Sequence, residues 1–230
     1  MVNTVGSYEN KYWQKKWLSL KKDTKLLSLQ KSLIIGSLLG DGTMRVGKDA
    51  LNANFKVEQG LEQKEYVFWK FGILKPLVLT GPKLSFRYHD DGTKYEKSWW
   101  FRTIRHPLLT ELYLQFYKTD GHKCGRKIVP ESIEKHLDPL ALAVWVMDDG
   151  SFSKGKIDIS TYSFSISEIK ILQRALVSQF NIRSNFYKDR NKGYRMYCGV
   201  TETKKLIEVI YPYIIKTMMY KIGFHNPVTT

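Results

Sequence analysis

Cysteine is scarce: the 230 residues hold two, Cys124 and Cys198, far apart and in no CxxC pair. That excludes a disulfide framework and suits a reducing compartment. The five histidines are scattered. His122 and Cys124 stand close together, but no second pair completes a zinc spacing. No apolar run is long enough to span a bilayer, and the N-terminus has no signal-peptide hydrophobic stretch, so no membrane role is expected. P-loop, GxGxxG, GxSxG and HExxH patterns are all missing, which leaves the common nucleotide, hydrolase and zinc-protease classes without support.

Negative charge is also in short supply. Asp and Glu number 22 against 37 Lys and Arg, giving a net charge of +15 and a pI near 9.6. Such an excess favours a polyanionic partner, and phosphate backbones are the commonest. Hydrophobic residues make up 43%, enough for a sizeable core. Near the N-terminus Lys11, Lys15, Lys16, Lys21, Lys22 and Lys25 interleave with Tyr12, Trp13 and Trp17. That segment could follow a nucleic-acid backbone, pack on the domain or serve as a transit peptide.

The chain reads as a repeat. Leu33-Ile34-Ile35-Gly36-Ser37-Leu38-Leu39-Gly40-Asp41-Gly42 is apolar and small, and ends in Asp-Gly; residues 140–150 do the same through Asp148-Asp149-Gly150. Each suits a buried helix with the closing glycine as its C-terminal stop. After the first come a strand at 43–46, an alternating strand at 51–59, a helix at 61–74, a hairpin of 83–89 with 95–105, and a helix opened by Pro107 and running to about Lys118. After the second, a strand at 156–162, a helix at 165–180 with a Ser165/Glu168 capping box, a hairpin of 182–188 with 194–200, and a helix at 202–210 repeat the order. The expected fold is α+β, two αββαββα halves. The division is a basic extension at 1–29, a first half at 30–117, a linker at 118–135, and a second half with its tail at 136–230.

A carboxylate at a helix C-terminus is disfavoured by about 0.3–1 kcal/mol. One such Asp is an ordinary turn residue; two, ending matched helices, suggest a shared purpose. Gly36, Ser37 and Gly40 on one helix and Ala141 and Ala143 on the other would let the backbones approach closely. Asp41 and Asp149 would then lie side by side. Neighbouring carboxylates raise each other's pKa unless a cation lies between them. A hard, oxygen-liking divalent ion suits that place, and metal-assisted phosphodiester hydrolysis uses such acid pairs.

These two segments, with their repeated strand order, resemble the LAGLIDADG homing endonucleases, in particular the single-chain, two-motif, intron-encoded branch. The resemblance runs from about Gln30 to Gly223. It implies pseudo-symmetric halves packed through two LAGLIDADG helices, with saddle-shaped antiparallel sheets as the DNA-binding face. It implies a monomer that cuts both strands of a long duplex site with Mg²⁺, two or three ions shared between Asp41 and Asp149, Mn²⁺ or Ca²⁺ able to substitute. Gly40 and Asp148, which match one another, would support the metal site. The second motif departs from the pattern, with Val144 where glycine is usual and a double acid. Lys127, in Lys127-Ile128-Val129-Pro130, and Lys221, in Met218-Met219-Tyr220-Lys221, resemble the family's paired active-site lysines; an ammonium there would stabilise developing charge. Gln59 resembles its water-ordering glutamine. The matching place in the second half falls near Tyr162, so the two sites are expected to be unequal. The resemblance names no compartment: organelle-encoded and bacterial cytoplasmic proteins alike need no targeting signal.

In such a fold, strand alternation selects the DNA-facing side chains. Asn52, Asn54, Lys56, Lys83, Ser85, Arg87 and His89 are the candidates in the first half. Lys156, Asp158, Ser160, Arg183, Asn185, Tyr187, Arg195 and Tyr197 are those in the second. A rival reading keeps the fold and changes the activity, since some LAGLIDADG proteins are maturases that bind intron RNA and assist splicing. A second rival, a DNA-binding regulator on a degenerate fold, should have lost a motif acid; both are retained here.

Overall fold

The computed structural model describes residues 25–47, 50–118 and 125–224. The basic aromatic stretch at 11–22, the His122/Cys124 pair and the Lys48-Asp49 turn lie outside them.

Two helices form the axis. α1 spans Ser28–Leu39, and every residue from Leu33 to Leu39 is buried. α4 spans Pro139–Asp149 and is buried from Leu140 to Asp148. A helix apolar all round belongs in a core, and these two pack against each other there. Local signals start α4: the Asp138 carboxylate accepts from the Ala141 amide at 2.8 Å, and Pro139 takes the first helical position.

The glycines of α1 allow the approach. A Cβ on Gly36 would lie 2.3 Å from the Ala141 carbonyl oxygen, and one on Gly40 would lie 2.5 Å from the Asp148 Cβ. The contact is lopsided: Gly36 meets Val144, and Gly40 meets Asp148, so bulk on α4 fills glycine gaps on α1. Gly150 is the C-cap of α4, as expected, whereas α1 is capped by Gly40, two residues before Gly42. Gly150 has φ −75°, and Gly42 is not among the positive-φ glycines, so neither is a left-handed cap. Space is the reason instead: a Cβ on Gly150 would meet the Val146 carbonyl oxygen at 2.4 Å, and one on Gly42 would meet Phe55 and Ser37 at 2.8 Å.

Each helix is followed by the same series. The first half continues with β1 (Thr43–Val46), β2 (Ala53–Gly60), α2 (Lys64–Leu74), β3 (Lys83–Tyr88), β4 (Lys94–Arg102) and α3 (Pro107–Phe116). The chain then turns into β5 (Tyr117–Lys118), which pairs with β6 (Arg126–Lys127). After α4 come β7 (Gly150–Ser153), β8 (Lys156–Ser160), α5 (Ile166–Phe180), β9 (Asn185–Asp189), β10 (Gly193–Cys198) and α6 (Val200–Ile210). The sheets have equivalent antiparallel orders, β1-β2-β4-β3 and β7-β8-β10-β9. The α+β fold of two αββαββα halves is therefore present.

Alternation decides the buried face. Ala53, Phe55 and Val57 of β2 and Phe101 of β4 are buried, as are Ile157, Ile159 and Met196 in the second sheet, and all join one core. Ser165 and Glu168 form the capping box of α5. Leu51, read as an inward strand residue, precedes β2 and is 93% exposed. The stretch read as a linker carries β6 and a 3-10 turn, Glu131–Lys135, whose Ile133 is buried. Among the described residues no helix is long and apolar enough to cross a membrane.

Gly36→Val is expected to overpack the helix contact and cost roughly 1–3 kcal/mol. Gly72→Ala, in α2 with nothing within 4 Å of the added carbon, should instead gain roughly 0.4–1 kcal/mol. Urea denaturation of both variants checks the contrast.

Candidate active site and nucleic-acid face

The two helices end together. Asp149 is the last residue of α4; Asp41 lies two residues beyond α1 and is exposed. The Asp148 carboxylate reaches across to the other half, where its Oδ2 lies 3.3 Å from the Asp41 amide nitrogen, which donates to it. Gln59, at the end of β2, donates from Nε2 to Asp41 Oδ2 at 3.0 Å and to Asp148 Oδ1 at 3.2 Å.

Two lysines occupy equivalent places. Lys127 Nζ donates to the Gly40 carbonyl at 2.7 Å. Lys221 Nζ donates to the Asp148 carbonyl at 3.3 Å and to the Gly150 carbonyl at 2.9 Å. Each therefore grips the residue just before a motif acid. β6 brings in Lys127, and the 3-10 segment Lys216–Ile222 brings in Lys221.

The charges are uneven. Burial, together with the Asp41 and Asp148 carboxylates, pushes Asp149 up to about 8, although Lys127 and Lys221 oppose the rise. Burial also raises Asp148, against the pull of Lys70. Burial lowers Lys127, while the three aspartates work to keep it charged. The lysines thus leave part of the negative charge uncompensated. The available donors are carboxylate and main-chain carbonyl oxygens, the set that a hard divalent cation takes. Among the described residues there is no group of three or more His, Cys, Asp or Glu arranged to hold a metal ion by itself. Any such ion would need further oxygens, from water or from a phosphate.

A profile of the LAGLIDADG DNA endonuclease family matches residues 31–206. This chain belongs to that family. It is 32% identical over 212 residues to DNA endonuclease I-ChuI of Chlamydomonas applanata, an alignment covering 87% of this chain and 97% of that protein. It is 30% identical over 195 residues to cytochrome b mRNA maturase bI2 of Debaryomyces hansenii, covering 83% of this chain and 72% of that one. Among solved structures, the homing endonuclease I-WcaI bound to its DNA recognition sequence superposes with a TM-score of 0.79 at 24% identity, over 90% of this chain and 92% of that chain. That likeness is one of fold.

The outer faces of the LAGLIDADG sheets collect most of the residues read from alternation. On the second sheet, Ser151 pairs with Asp158, and Arg195 pairs with both Ser160 and Tyr187. Tyr197 pairs with Asp158 and Asn185, and Lys156 pairs with Ser153. Cross-strand partners share a side, so these residues form one surface. Arg195 donates to Ser151 Oγ at 2.9 Å, and Tyr187 donates to Asp158 at 3.0 Å, so Asp158 is tied into a basic and aromatic patch. On the first sheet, Lys56 pairs with Arg102, Lys83 with Trp100 and Ser85 with Ser98; Arg45 faces Asn54. Arg87 pairs with Tyr95, and His89 lies in the following turn with its ring 4.3 Å from that of Tyr95.

Two candidates lie just outside the strands. Asn52 precedes β2, and its side-chain carbonyl accepts from Thr110 of α3 at 3.2 Å, because that helix packs behind the sheet there. Arg183 precedes β9, and its backbone amide is held by Glu202 of α6 at 2.7 Å. The counterpart of Gln59 also moves by one residue. Pairing aligns Lys56 with Thr43 and Asp158 with Ser151, which puts Thr161, not Tyr162, opposite Gln59 in the pseudo-symmetry. Thr161 is buried and donates to the Tyr194 carbonyl at 2.8 Å.

The sequence reading missed Arg45, Trp100, Arg102 and Lys70. The first three were findable, since Ser98, Trp100 and Arg102 alternate with Trp99 and Phe101 in β4. Lys70 gave no signal, for its helix looks ordinary. A cavity of about 620 Å³ lies at the opposite ends of the LAGLIDADG helices beside Ser28 and Asp138, away from the acids.

A carboxyl raised in the folded state favours the protonated native protein. The metal-free chain is therefore expected to lose stability as pH climbs from about 4, the unfolded value, through about 8. Asp149→Asn should raise the melting temperature at pH 8.5 and leave it nearly unchanged at pH 4. Melting curves across that range, with and without a divalent cation, check the sign; the cation should flatten the wild-type profile.

Proposed function

We propose that this chain is a site-specific homing endonuclease that hydrolyses both strands of a long DNA target with Mg²⁺. The observation that supports it most is the pair of acids at the adjoining LAGLIDADG helix ends, each flanked by a lysine at an equivalent place. Two basic sheet faces on the same chain add to this, as does the endonuclease I-ChuI, alike along nearly its whole length. Both halves sit on one polypeptide, which suits a monomer.

Asp41 and Asp149 would hold the divalent ions, with the Gly40 carbonyl and Asp148 beside them. A bound Mg²⁺ supplies charge stabilisation at the scissile phosphate and lowers the pKa of attacking water. The protein groups do the rest. Lys127 and Lys221 neutralise charge developing on the phosphate. Gln59 orders water near Asp41. The strand faces set the register of the duplex in the major groove, where Arg and Asn read base edges.

A maturase reading keeps one specific support, the 30% identity to the bI2 maturase. The two readings separate in one experiment: cleavage of a randomised duplex library in Mg²⁺, wild type against Asp41→Asn/Asp149→Asn. The expected result is double-strand breaks at one long consensus, reduced at least about a thousandfold in the variant. A wild-type chain that cuts no duplex yet binds structured intron RNA would overturn the endonuclease in favour of the maturase.

For the reading of sequence, Arg87→Ala, Arg102→Ala and Arg195→Ala should each relax preference at one base pair, by roughly 1–3 kcal/mol. Replacing Lys15 or Lys16 by Ala should weaken binding evenly across sequences and flatten the salt dependence. Binding titrations on single-base variants of the target at two salt concentrations distinguish these classes.

A further inference from the structure

Lys70, in the middle of α2, is 0% exposed. Lysine is almost never fully buried without a partner, and here the partner is Asp148. Lys70 Nζ donates to Asp148 Oδ1 at 2.7 Å and to Oδ2 at 3.0 Å, and to Ser37 Oγ at 2.9 Å, and it lies 4.3 Å from the centre of the Tyr66 ring. The buried Tyr66 side chain also bonds Asp148 from within, and toward the open end Asp148 meets the Gln59 amide and the Asp41 backbone. A buried lysine is thus joined through one carboxylate to two groups at the open end of the site.

The geometry fixes how Gln59 must lie. Its Nε2 has two N–H groups, and each faces a carboxylate, one of Asp41 and one of Asp148. Both bonds draw the amide nitrogen toward the acids, so the amide cannot turn over without losing them, and its Oε1 is directed away. Removing Lys70 would leave Asp148 as an uncompensated charge in the interior, which is strongly disfavoured and would free the carboxylate to move.

The whole arrangement occurs once. By motif register Gly40 stands for Asp148 and Trp145 for Ser37. The buried positions of α2 and α5, taken in order, match Val67, Lys70 and Leu74 to Ile169, Leu172 and Leu176. Leu172 thus stands for Lys70, and Thr161 for Gln59. Every polar member is replaced on the other side of the pseudo-dyad.

We propose that the buried Lys70–Asp148 pair is a positioning device for Gln59, and that it makes the two cleavage centres unequal, so that the strand served by the Gln59 centre is nicked first. The strand order rests on the endonuclease reading above; the positioning of Gln59 does not.

Two measurements test it on the full chain, using Lys70→Met, Lys70→Met/Asp148→Asn, Gln59→Ala and, as control, Lys31→Met. The first is the ¹⁵N side-chain amide signal of Gln59 in metal-free protein, assigned by its loss in Gln59→Ala. Two distinct, exchange-protected protons are expected in wild type and Lys31→Met, collapsing to solvent-like values in Lys70→Met. The double variant removes the stranded charge, so it should melt higher than Lys70→Met while Gln59 stays unprotected. The second is single-turnover cleavage of the selected target with differently labelled strands. Lys70→Met and Gln59→Ala should each slow the first nick by about tenfold to a hundredfold, leaving the second-strand rate and the DNA Kd in Ca²⁺ within about twofold. A protected Gln59 amide in folded Lys70→Met overturns the positioning role. Equal slowing of both strands overturns the asymmetry. A wild-type chain that shows the protected amide but cuts no duplex removes the endonuclease and the strand order, and leaves the positioning intact.

Discussion

Everything in this protein depends on how closely two apolar helices can approach. α1 gives up side chains at Gly36 and Gly40, and α4 fills the room with Val144 and Asp148. Dispersion and burial reward that contact, and a single added carbon would meet backbone atoms inside their contact distance. The halves are therefore held as one body with one core. The helix ends, and so the acids, meet because the helices do.

The cost of that meeting is electrostatic. Three aspartates crowd one end, where the helix dipoles also disfavour them. The chain answers with lysines of two kinds. Lys127 and Lys221 are partly buried at the rim and grip main-chain carbonyls beside the acids. Lys70 is sealed behind them and neutralises Asp148 alone. Burial beside Asp41 and Asp148 lifts the Asp149 carboxyl to about 8 despite Lys127 and Lys221, which is why the site would welcome a cation.

The sheets place a basic surface next to that charge. Pairing fixes which residues share a side, so arginines, lysines and aromatics collect outward while Phe55, Phe101, Ile157 and Met196 fill the core. Ion pairing within the surface is local. Glu58 is held low, at about 2, by Lys56, Ser98 and Lys97 despite its partial burial, and Arg195 leans on Asp158 and Ser151. Positive charge remains in excess after these pairs.

Periodicity alone made much of this legible. Alternation at Asn54, Lys56 and the β8–β10 residues named the outer face, the repeated Asp-Gly ending named both acids, and Ser165 with Glu168 named a helix start. These are local properties: the strand period of two and the capping geometry are written within a few residues. What the chain order could not decide were contacts between distant segments. Gly150 closes its helix as read, but Gly42 lies beyond the cap of α1, and both are points of close packing. Asn52 looked like a reader of bases and is tied to Thr110. Thr161, not Tyr162, opposes Gln59, because pairing sets the register and counting along the chain does not. Lys70 looked like any surface lysine until Asp148, 78 residues away in sequence, was found against it. A side chain's role there is set by what the fold brings to it, and the desolvated interior makes that partner decisive.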